Sequence, residues 1–259
     1  MLHRHDANGV MLLTQPAHAW VSGQIARQWG NTDFDAPAED LCFATAMHDI
    51  GFLSWEAAPT LNKETGLPHA FTEMPTPLHL QLWRKGIQDA ACHGRYPCLL
   101  VSLHFTVLAR RHDTGNPPCP ENLTQKFIAE QELLQRTIVT SLSNDPQYGA
   151  TLDERQIERD SKALAIWDWI SLLICMNNEQ ETVMDDVPAS NDQSKQLLLT
   201  RLDSNGLRFK LDPWPFRENS ATVICETRRL LKRFSDEEKL RSALKAAAPQ
   251  TLVIKFEKS

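Results

Sequence analysis

The stretch SKALAIWDWISLLICM, residues 161 to 176, decides the fold that we expect for this chain. It is apolar nearly all round at helical spacing, which is typical of a helix buried at the centre of a domain. Asp168 stands inside it between two tryptophans, where burial disfavours an ionised carboxylate unless a cation or hydrogen-bond donors lie nearby. The stretch therefore predicts a central helix that carries a charged group into the core.

Other stretches with helical periodicity surround this one in the first two thirds of the chain. The expected helices cover residues 15–29, 36–49, 77–94, 99–112, 125–142 and 161–176. Thr14 can cap the first of them, and Pro16 suits its first turn. A stretch of 24 residues with four prolines, from 54 to 77, follows the second helix and is typical of a lid or a binding loop.

The pattern changes after about residue 180. Asn205-Gly206 is a hairpin turn signal between two β-prone runs, residues 221–231 and 251–256 predict further strands, and residues 235–247 predict a short helix. We therefore expect a mainly α protein. It would consist of an all-α bundle of residues 1–185 with a small, antiparallel α+β subdomain of residues 196–259 packed on it.

Composition and charge limit the classes of function. With 259 residues, 42% of them hydrophobic and 23% charged, the chain can bury a full core. A net charge of -6 without long basic runs argues against nucleic acid and anionic membranes as partners, and favours a small molecule. The N-terminus has no apolar leader segment, and the most apolar stretch, residues 163–176, is too short to span a bilayer and carries Asp168, so we expect a cytoplasmic protein. The oligomeric state stays open.

The cysteines agree with a reducing compartment. They are Cys42, Cys92, Cys98, Cys119, Cys175 and Cys225. Because they are scattered, form no C-x-x-C pair and in several cases lie in apolar stretches, we expect buried, reduced thiols and no disulfide framework.

Titratable residues stand in or beside the apolar helices, where each is costly to bury. They are His18, His48, Asp49, His79, His104 and Asp168. A single histidine of this kind is commonly a hydrogen-bonded core residue, and a buried aspartate can simply bind main-chain groups. Together they point to a metal, because imidazoles and carboxylates are ligands for iron, manganese and zinc. Four imidazoles and two carboxylates are enough for two divalent ions about 3.5–4 Å apart. We expect iron, with manganese or zinc as alternatives.

The order of these residues resembles the six-ligand, binuclear branch of the HD-domain superfamily, whose members are all-helical metal-dependent proteins. Within that superfamily the chain is similar to an uncharacterised bacterial family that has a C-terminal DPWPF segment. The phrases that carry the resemblance are QPAH (15–18), HDIGFLSW (48–55), SLH (102–104), WDWISL (167–172) and DPWPF (212–216). They span nearly the whole chain.

The resemblance implies a role for each residue of the set. It makes core ligands of His18, His48, Asp49 and Asp168. Asp49 would bridge two ions, and His79 and His104 would complete the second metal site. His69 and His93 also lie between His48 and His104 in the sequence, so either is an alternative to His79.

One position departs from the superfamily. Many members have a lysine or another polar residue just after HD-x-G, where this chain has Phe52. Arg111, on the same expected helix face as His104, could replace that cation, as could Arg84 or Lys85. Each of these three can equally be an ordinary charge on a solvated helix surface.

Three functions are compatible with such a site. The resemblance implies a metal-dependent, phosphohydrolase-like enzyme for a small molecule, with a phosphorylated substrate as one option. In that enzyme His79, His104 or Lys85 would protonate the leaving group, and Arg111 would contact the substrate. The alternatives are a di-iron oxygenase with the same ligands and a scaffold that binds without catalysis. Trp214 and Phe216 of DPWPF are expected to pack in the core.

Overall fold

Strands from both ends of the chain form one sheet in this computed structural model, which describes residues 1–113, 122–149 and 152–258. The strands are β1 (Leu2–Asp6), β2 (Gly9–Leu13), β3 (Leu61–Asn62), β4 (Leu67–Pro68), β5 (Glu181–Ala189), β6 (Gln193–Arg201), β7 (Arg208–Asp212), β8 (Ser220–Leu230) and β9 (Pro249–Glu257). The helices are α1 (Gln15–Gln28), α2 (Glu39–Met47), α3 (Leu53–Glu56), α4 (Thr76–Ala91), α5 (Arg95–Asp113), α6 (Leu123–Ser143), α7 (Glu154–Met176) and α8 (Glu237–Ala246).

The large sheet makes this an α+β fold, so the expectation of a mainly α bundle with a small appendage is wrong. Seven strands lie in the order β1-β2-β8-β9-β7-β6-β5, while β3 and β4 form a separate two-stranded pair. All neighbours in the large sheet are antiparallel except β7 and β9, which run parallel. The helices from α1 to α7 lie between its N-terminal and C-terminal strands in the sequence.

One source of the error is the N-terminus, where β1 and β2 form a hairpin. Asp6 pairs with Gly9, so Ala7 and Asn8 make the turn, and Gly9 has a φ of 124° that favours glycine. Asn8-Gly9 is the same dipeptide as Asn205-Gly206, although here the glycine directly follows the two turn residues. Because β2 then pairs with β8, the hairpin extends the sheet that the C-terminal strands begin.

The second source is the stretch of residues 181–196, whose polar sequence ETVMDDVPASNDQSKQ is more typical of a connection than of a strand. It forms most of the β5–β6 hairpin instead. Met184, Val187 and Ala189 are buried, but a β-bulge between Met184 and Val187 breaks the regular alternation that identifies a strand. The expected boundary between residues 1–185 and residues 196–259 falls within this hairpin.

The central position of α7 is confirmed. Leu164, Ile170 and Ile174 have no exposed surface, and the helix packs against α1, α2, α5 and the sheet. The hairpin β6–β7, strands β8 and β9 and helix α8 also form where the sequence predicts them. Among the described residues, every helix is too short or too polar to cross a lipid bilayer.

Two glutamines hold α1 against the sheet. Gln24 exchanges two hydrogen bonds with the main chain of Ile224, from Nε2 to the carbonyl oxygen at 2.8 Å and from the amide to Oε1 at 3.0 Å. Gln28, one turn later, does the same with Thr222 at 3.1 and 3.2 Å. The two side-chain amides form hydrogen bonds with β8 as the main chain of a neighbouring strand would. They thereby hold α1, which carries His18, against the sheet.

The DPWPF segment packs in the core, as expected. Trp214 and Phe216 are buried, and the Phe216 ring lies 5.7 Å from the Trp29 ring and 5.1 Å from the Phe256 ring, measured between centroids. Trp29 in turn lies 5.6 Å from Trp167 of α7. This aromatic cluster joins the sheet to the central helix.

Candidate metal centre

Four helices bring five of the six predicted ligands together in the core. His18 lies in α1, His48 and Asp49 directly follow α2, His104 lies in α5 and Asp168 lies in α7. All five side chains belong to residues that are at most 8% exposed. The polar residues in the apolar stretches therefore converge on one buried cluster.

Gly51 lets the segment after Asp49 pack directly on α4. A Cβ atom at Gly51 would lie 2.1 Å from the carbonyl oxygen of Leu82 and 2.5 Å from the amide nitrogen of Gly86. Any side chain at this position would push the segment away from the helix. The glycine of the HD-x-G phrase thus sets the position of the His48-Asp49 pair.

Short contacts between nitrogen and oxygen define the cluster. His18 Nε2 lies 2.7 Å from Asp49 Oδ2, and His48 Nε2 lies 3.6 Å from the same oxygen. Asp168 Oδ1 lies 3.2 Å from His48 Nε2, and Asp168 Oδ2 lies 3.5 Å from His104 Nε2. Every one of these imidazoles therefore presents Nε2 to at least one carboxylate.

The other nitrogen of His48 is engaged by the main chain. Nδ1 lies 2.8 Å from the carbonyl oxygen of Thr45. A carbonyl oxygen can only accept, so Nδ1 must carry a hydrogen and donate it. The neutral imidazole consequently has its lone pair on Nε2, which faces the carboxylates of Asp49 and Asp168.

This arrangement shifts the pKa values of the clustered side chains. Burial by itself would lower the pKa of His48, but the facing carboxylates of Asp49 and Asp168 outweigh it and raise that pKa to about 9. Burial would raise the pKa of both carboxyl groups, yet His48 and its neighbouring histidines hold both below their usual range. Burial dominates at His104 and lowers its pKa to about 4. The cluster therefore stabilises two anions and attracts positive charge.

Two sets of three residues could each hold an ion, among all the residues that the structure describes. They are His18, His48 and Asp49, and His48, His104 and Asp168; within each set the candidate ligand atoms lie within 4.8 Å of one another. The sets share His48. The cluster can thus offer three imidazoles and two carboxylates to a metal.

His79 belongs to neither of these sets. It is buried at the start of α4, where its ring stacks on Trp83 at 5.4 Å and lies 6.2 Å from Phe52. Phe52, at the position where the superfamily often has a cation, is buried as well. Together they form an aromatic layer beside the segment that follows Asp49.

The two alternatives to His79 lie elsewhere. His69 is in the β3–β4 region, and its Nδ1 lies 3.0 Å from the hydroxyl of Thr60. The His93 ring, just beyond α4, contacts the Phe43 ring at 4.9 Å. Neither residue belongs to the two sets described above.

The cations that the sequence offered for substrate binding or catalysis lie on helix surfaces. Lys85 is exposed and forms an ion pair with Asp89 one turn later. Arg84 forms an ion pair with Glu130 at 2.9 Å, and Arg111 is exposed near the end of α5. The ion pairs of Arg84 and Lys85 are thus made with Glu130 and Asp89, which lie outside the His/Asp cluster.

A cleft of about 650 Å³ is lined by residues of α1, β8 and α8, among others. Its lining includes Thr14, Ala17, Glu56, Arg228, Arg241 and Lys245. Glu56 is buried, and burial is the first cause of its raised pKa, to which the charge of Asp49 adds. None of the five clustered residues lines the cleft.

Sequence reasoning assigned no role to the residues that surround the histidines. Ser171 Oγ lies 2.8 Å from His18 Nδ1, and Ser22 donates to Ser171 Oγ at 2.8 Å. Thr45 supplies the carbonyl for His48. Their spacing could have identified them, because residues three or four apart are neighbours on a helix. Ser22 is four residues after His18, Thr45 is three before His48 and Ser171 is three after Asp168.

Comparison with known proteins gives a family and no function. Searches of curated proteins and of solved structures found no match for this chain. One family model, described as a protein of unknown function (DUF3891), matches residues 1–232. This match and the seven-stranded sheet overturn the resemblance to the HD-domain superfamily and the all-helical fold that it implied. The chain belongs to the family DUF3891.

Proposed function

We propose that this protein is a metal-dependent hydrolase that acts on a small molecule at the His/Asp cluster. The observation that carries the proposal is the orientation of His48. Its Nδ1 donates to the Thr45 carbonyl, so the lone pair of Nε2 faces Asp168 Oδ1 at 3.2 Å and Asp49 Oδ2 at 3.6 Å. A lone pair opposite two buried carboxylates is stable only if a proton or a metal ion lies between them.

The spacing of the donor atoms is compatible with an ion. Metal–ligand bonds of about 2.1 Å place neighbouring ligand atoms about 3 Å apart in an octahedral site. The contacts of His18, His48, Asp49 and Asp168, which range from 2.7 to 3.6 Å, bracket that value. A divalent cation would also balance the two carboxylates without a proton on His48. Nitrogen and oxygen donors of this kind suit iron, manganese or zinc.

The geometry supports one ion better than the two that the sequence predicts. The two sets of candidate ligands share His48, and His48 has only one nitrogen available, because the other donates to Thr45. An imidazole nitrogen binds a single ion. If the first ion takes His18, His48 and Asp49, a second would have only His104 and Asp168 and would need a further ligand from outside the two sets.

Hydrolysis is the reaction that such a centre supports most directly. A bound divalent ion lowers the pKa of a water molecule to near neutrality and polarises a phosphoryl or carbonyl oxygen. Asp49 and Asp168 would hold the ion, and His104, which is neutral above its lowered pKa, could accept or return a proton. A phosphoester of a small molecule is the substrate that we would test first.

An iron-dependent oxygenase is the second candidate. Each of the two sets has two histidines and one carboxylate, which is the ligand combination of non-haem Fe(II) oxygenases. The same combination also occurs around catalytic zinc in hydrolases. The bound metal therefore decides between the two enzymes, and a scaffold that binds without catalysis is what remains if neither activity is found.

Elemental analysis of the purified full-length protein tests the proposal first. We expect about one iron, manganese or zinc ion per chain in the wild type and a loss of that ion in His48→Gln. His69→Gln is the matched control, because His69 is also hydrogen-bonded through Nδ1 but lies outside the cluster. Absence of metal from the wild type, even after incubation with each ion, would refute the metal centre.

Activity then separates the candidates. Protein that holds its metal should hydrolyse a member of a panel of simple phosphoesters, and His48→Gln should not. Oxygen consumption by the ferrous protein, without phosphoester hydrolysis, would favour the oxygenase. A fully loaded protein that is inactive in both assays would leave the binding scaffold.

A further inference from the structure

His18 differs from His48 in how its second nitrogen is held. His48 donates to a main-chain carbonyl, whereas His18 Nδ1 lies 2.8 Å from the side-chain oxygen of Ser171. Ser171 Oγ also donates to the carbonyl oxygen of Asp168 at 2.8 Å and accepts from Ser22 Oγ at 2.8 Å. Ser22 and Ser171 have no exposed surface.

The hydrogens in this network can be assigned by counting. A serine hydroxyl has one hydrogen to donate, and the Asp168 carbonyl can only accept. Ser171 therefore uses its hydrogen on Asp168, and its oxygen must accept from His18 Nδ1. Asp49 Oδ2, 2.7 Å from Nε2, can also only accept, so the lone pair of Nε2 becomes available when an ion takes the place of the hydrogen between these two atoms.

We propose that Ser171 is a positioning residue for the metal ion, and that Ser22 supports it. Ser171 keeps His18 in the tautomer that offers Nε2 to the ion. It also ties the ligand from α1 to Asp168, the ligand from α7, because the same hydroxyl contacts both residues. This inference rests on the proposed function, since it assumes that the cluster binds a metal.

The arrangement makes His18 the ligand that a side-chain mutation can disturb. The partner of His48 Nδ1 is main chain and survives substitution of Thr45. The hydrogen-bond partner of His18 Nδ1 at 2.8 Å disappears with the Ser171 hydroxyl, which leaves Asp168 Oδ1 at 3.7 Å. Without it the imidazole can rotate or move its hydrogen to Nε2, and the ion loses a preorganised ligand. Partners that orient a metal-bound histidine typically change metal affinity by about 10- to 100-fold.

Zinc affinity of the full-length protein tests the proposal. The metal-free protein is titrated with Zn²⁺ in competition with a coloured chelator, for the wild type, Ser171→Ala, Ser22→Ala and Ser102→Ala. Ser102 is a matched control, because it is a buried serine on the helix of His104 and its hydroxyl donates to Gln131. We expect Ser171→Ala to bind zinc about 10- to 100-fold more weakly, Ser22→Ala to bind about 3- to 10-fold more weakly, and Ser102→Ala to match the wild type.

A second readout separates positioning from general stability. In zinc-loaded protein labelled with ¹⁵N-histidine, His18 should carry its hydrogen on Nδ1, and this signal should shift or broaden in Ser171→Ala while the His48 signal stays. Ser171→Thr restores a hydroxyl and should recover the zinc affinity and the His18 signal. A purely structural serine would change the melting temperature without moving the His18 signal.

The outcomes distinguish this inference from the proposed function. A wild type that binds no zinc, iron or manganese refutes the metal centre, and the role of Ser171 with it. A wild type that binds zinc, beside a folded Ser171→Ala with the same affinity and the same His18 signal, overturns the role of Ser171 alone. If Ser171→Ala does not fold, Ser22→Ala decides, and wild-type affinity in that variant counts against the proposal.

Discussion

Two aspartates of α7 are buried to the same extent but have opposite surroundings. Asp160 and Asp168 are each 8% exposed and lie about two turns apart on one helix. Asp160 accepts hydrogen bonds from the Tyr96 hydroxyl at 2.5 Å and from the Gln156 amide at 2.7 Å, both of which are neutral donors. Asp168 instead faces the imidazole nitrogens of His48 and His104.

The difference is visible in the direction of their pKa values. Burial raises the pKa of Asp160, and the neutral donors and Arg159 only partly oppose it. Burial acts on Asp168 in the same way, but the histidines, with His48 foremost, reverse the result and lower the pKa. Burial therefore marks both residues as unusual, and only the partners distinguish a hydrogen-bonded core carboxyl from one that can bind a cation.

The largest effect on zinc affinity should come from replacing Asp168, with the same replacement of Asp160 as the comparison. We expect Asp168→Asn to weaken zinc binding by about 1,000-fold, or about 4 kcal/mol, because the ion loses a charged ligand, while Asp160→Asn binds as the wild type does. Both variants keep an oxygen that accepts hydrogen bonds. The measurement is zinc titration of the metal-free proteins, with circular dichroism to verify the helices. Equal zinc affinities in the two variants would mean that Asp168 contributes no more to metal binding than Asp160 does.

The metal-free protein should also depend on pH through His48. Its pKa of about 9 lies above the usual value of 6.5, so the folded state holds this proton more tightly than the unfolded state does. The stabilisation is complete below about pH 6.5 and is lost as the pH rises through 9. It amounts to about 3 kcal/mol. Asp49 and Asp168, with lowered pKa values, stabilise above about pH 4 and lose that contribution in acid.

Urea unfolding at pH 6.5 and pH 9.5, with chelator present, measures this dependence. The wild type should lose about 3 kcal/mol more than His48→Gln between the two pH values. Protein loaded with metal should not show the difference, since the ion takes the place of the proton. A wild type and a variant that lose the same amount would mean that His48 carries no proton in the folded state.

The clustered residues could be singled out from the sequence as candidate ligands because each is a polar residue in or beside an apolar helix. Asp168 between Trp167 and Trp169 is the clearest case, and His18, His48 and His104 follow the same pattern. His79 follows it too, yet it stacks on Trp83 and lies in neither set of candidate ligands. A buried histidine against an aromatic ring and a buried histidine against a carboxylate look alike in sequence. Their partners come from other helices, and only packing reveals them.

The fold was less predictable for a related reason. Helical periodicity identifies the helices, but strand pairing depends on residues far apart in the sequence, such as β2 with β8. The turn signal at Asn8-Gly9 was present, but β1 and β2 are short, and an isolated hairpin is marginally stable. The hairpin is stable here because β8 extends it into a sheet. The β-bulge made β5 hard to recognise from the sequence, because it disturbs the alternation of buried and exposed residues.

A smaller effect should come from the donor to Asp160. Tyr96→Phe removes the hydroxyl that donates to Asp160 Oδ2 and leaves a buried oxygen with one partner fewer. We expect the free energy of unfolding to fall by about 1–2 kcal/mol, with zinc affinity unchanged. Combining Tyr96→Phe with Asp160→Asn should recover part of that loss, because an uncharged amide is less costly to bury. Weaker zinc binding in Tyr96→Phe would mean that Asp160 and the cluster are coupled along α7.

The smallest effect should come from Lys85, which the sequence offered as a proton donor to the leaving group. Its ammonium group is exposed and pairs with Asp89 on the helix surface, an arrangement that contributes little to stability. We expect Lys85→Ala to change the free energy of unfolding by at most about 0.5 kcal/mol and to leave zinc affinity and any hydrolytic activity as in the wild type. A loss of activity at unchanged zinc affinity would instead bring Lys85 to the substrate. The ammonium group of Lys85 would then have to leave Asp89 to reach the cluster.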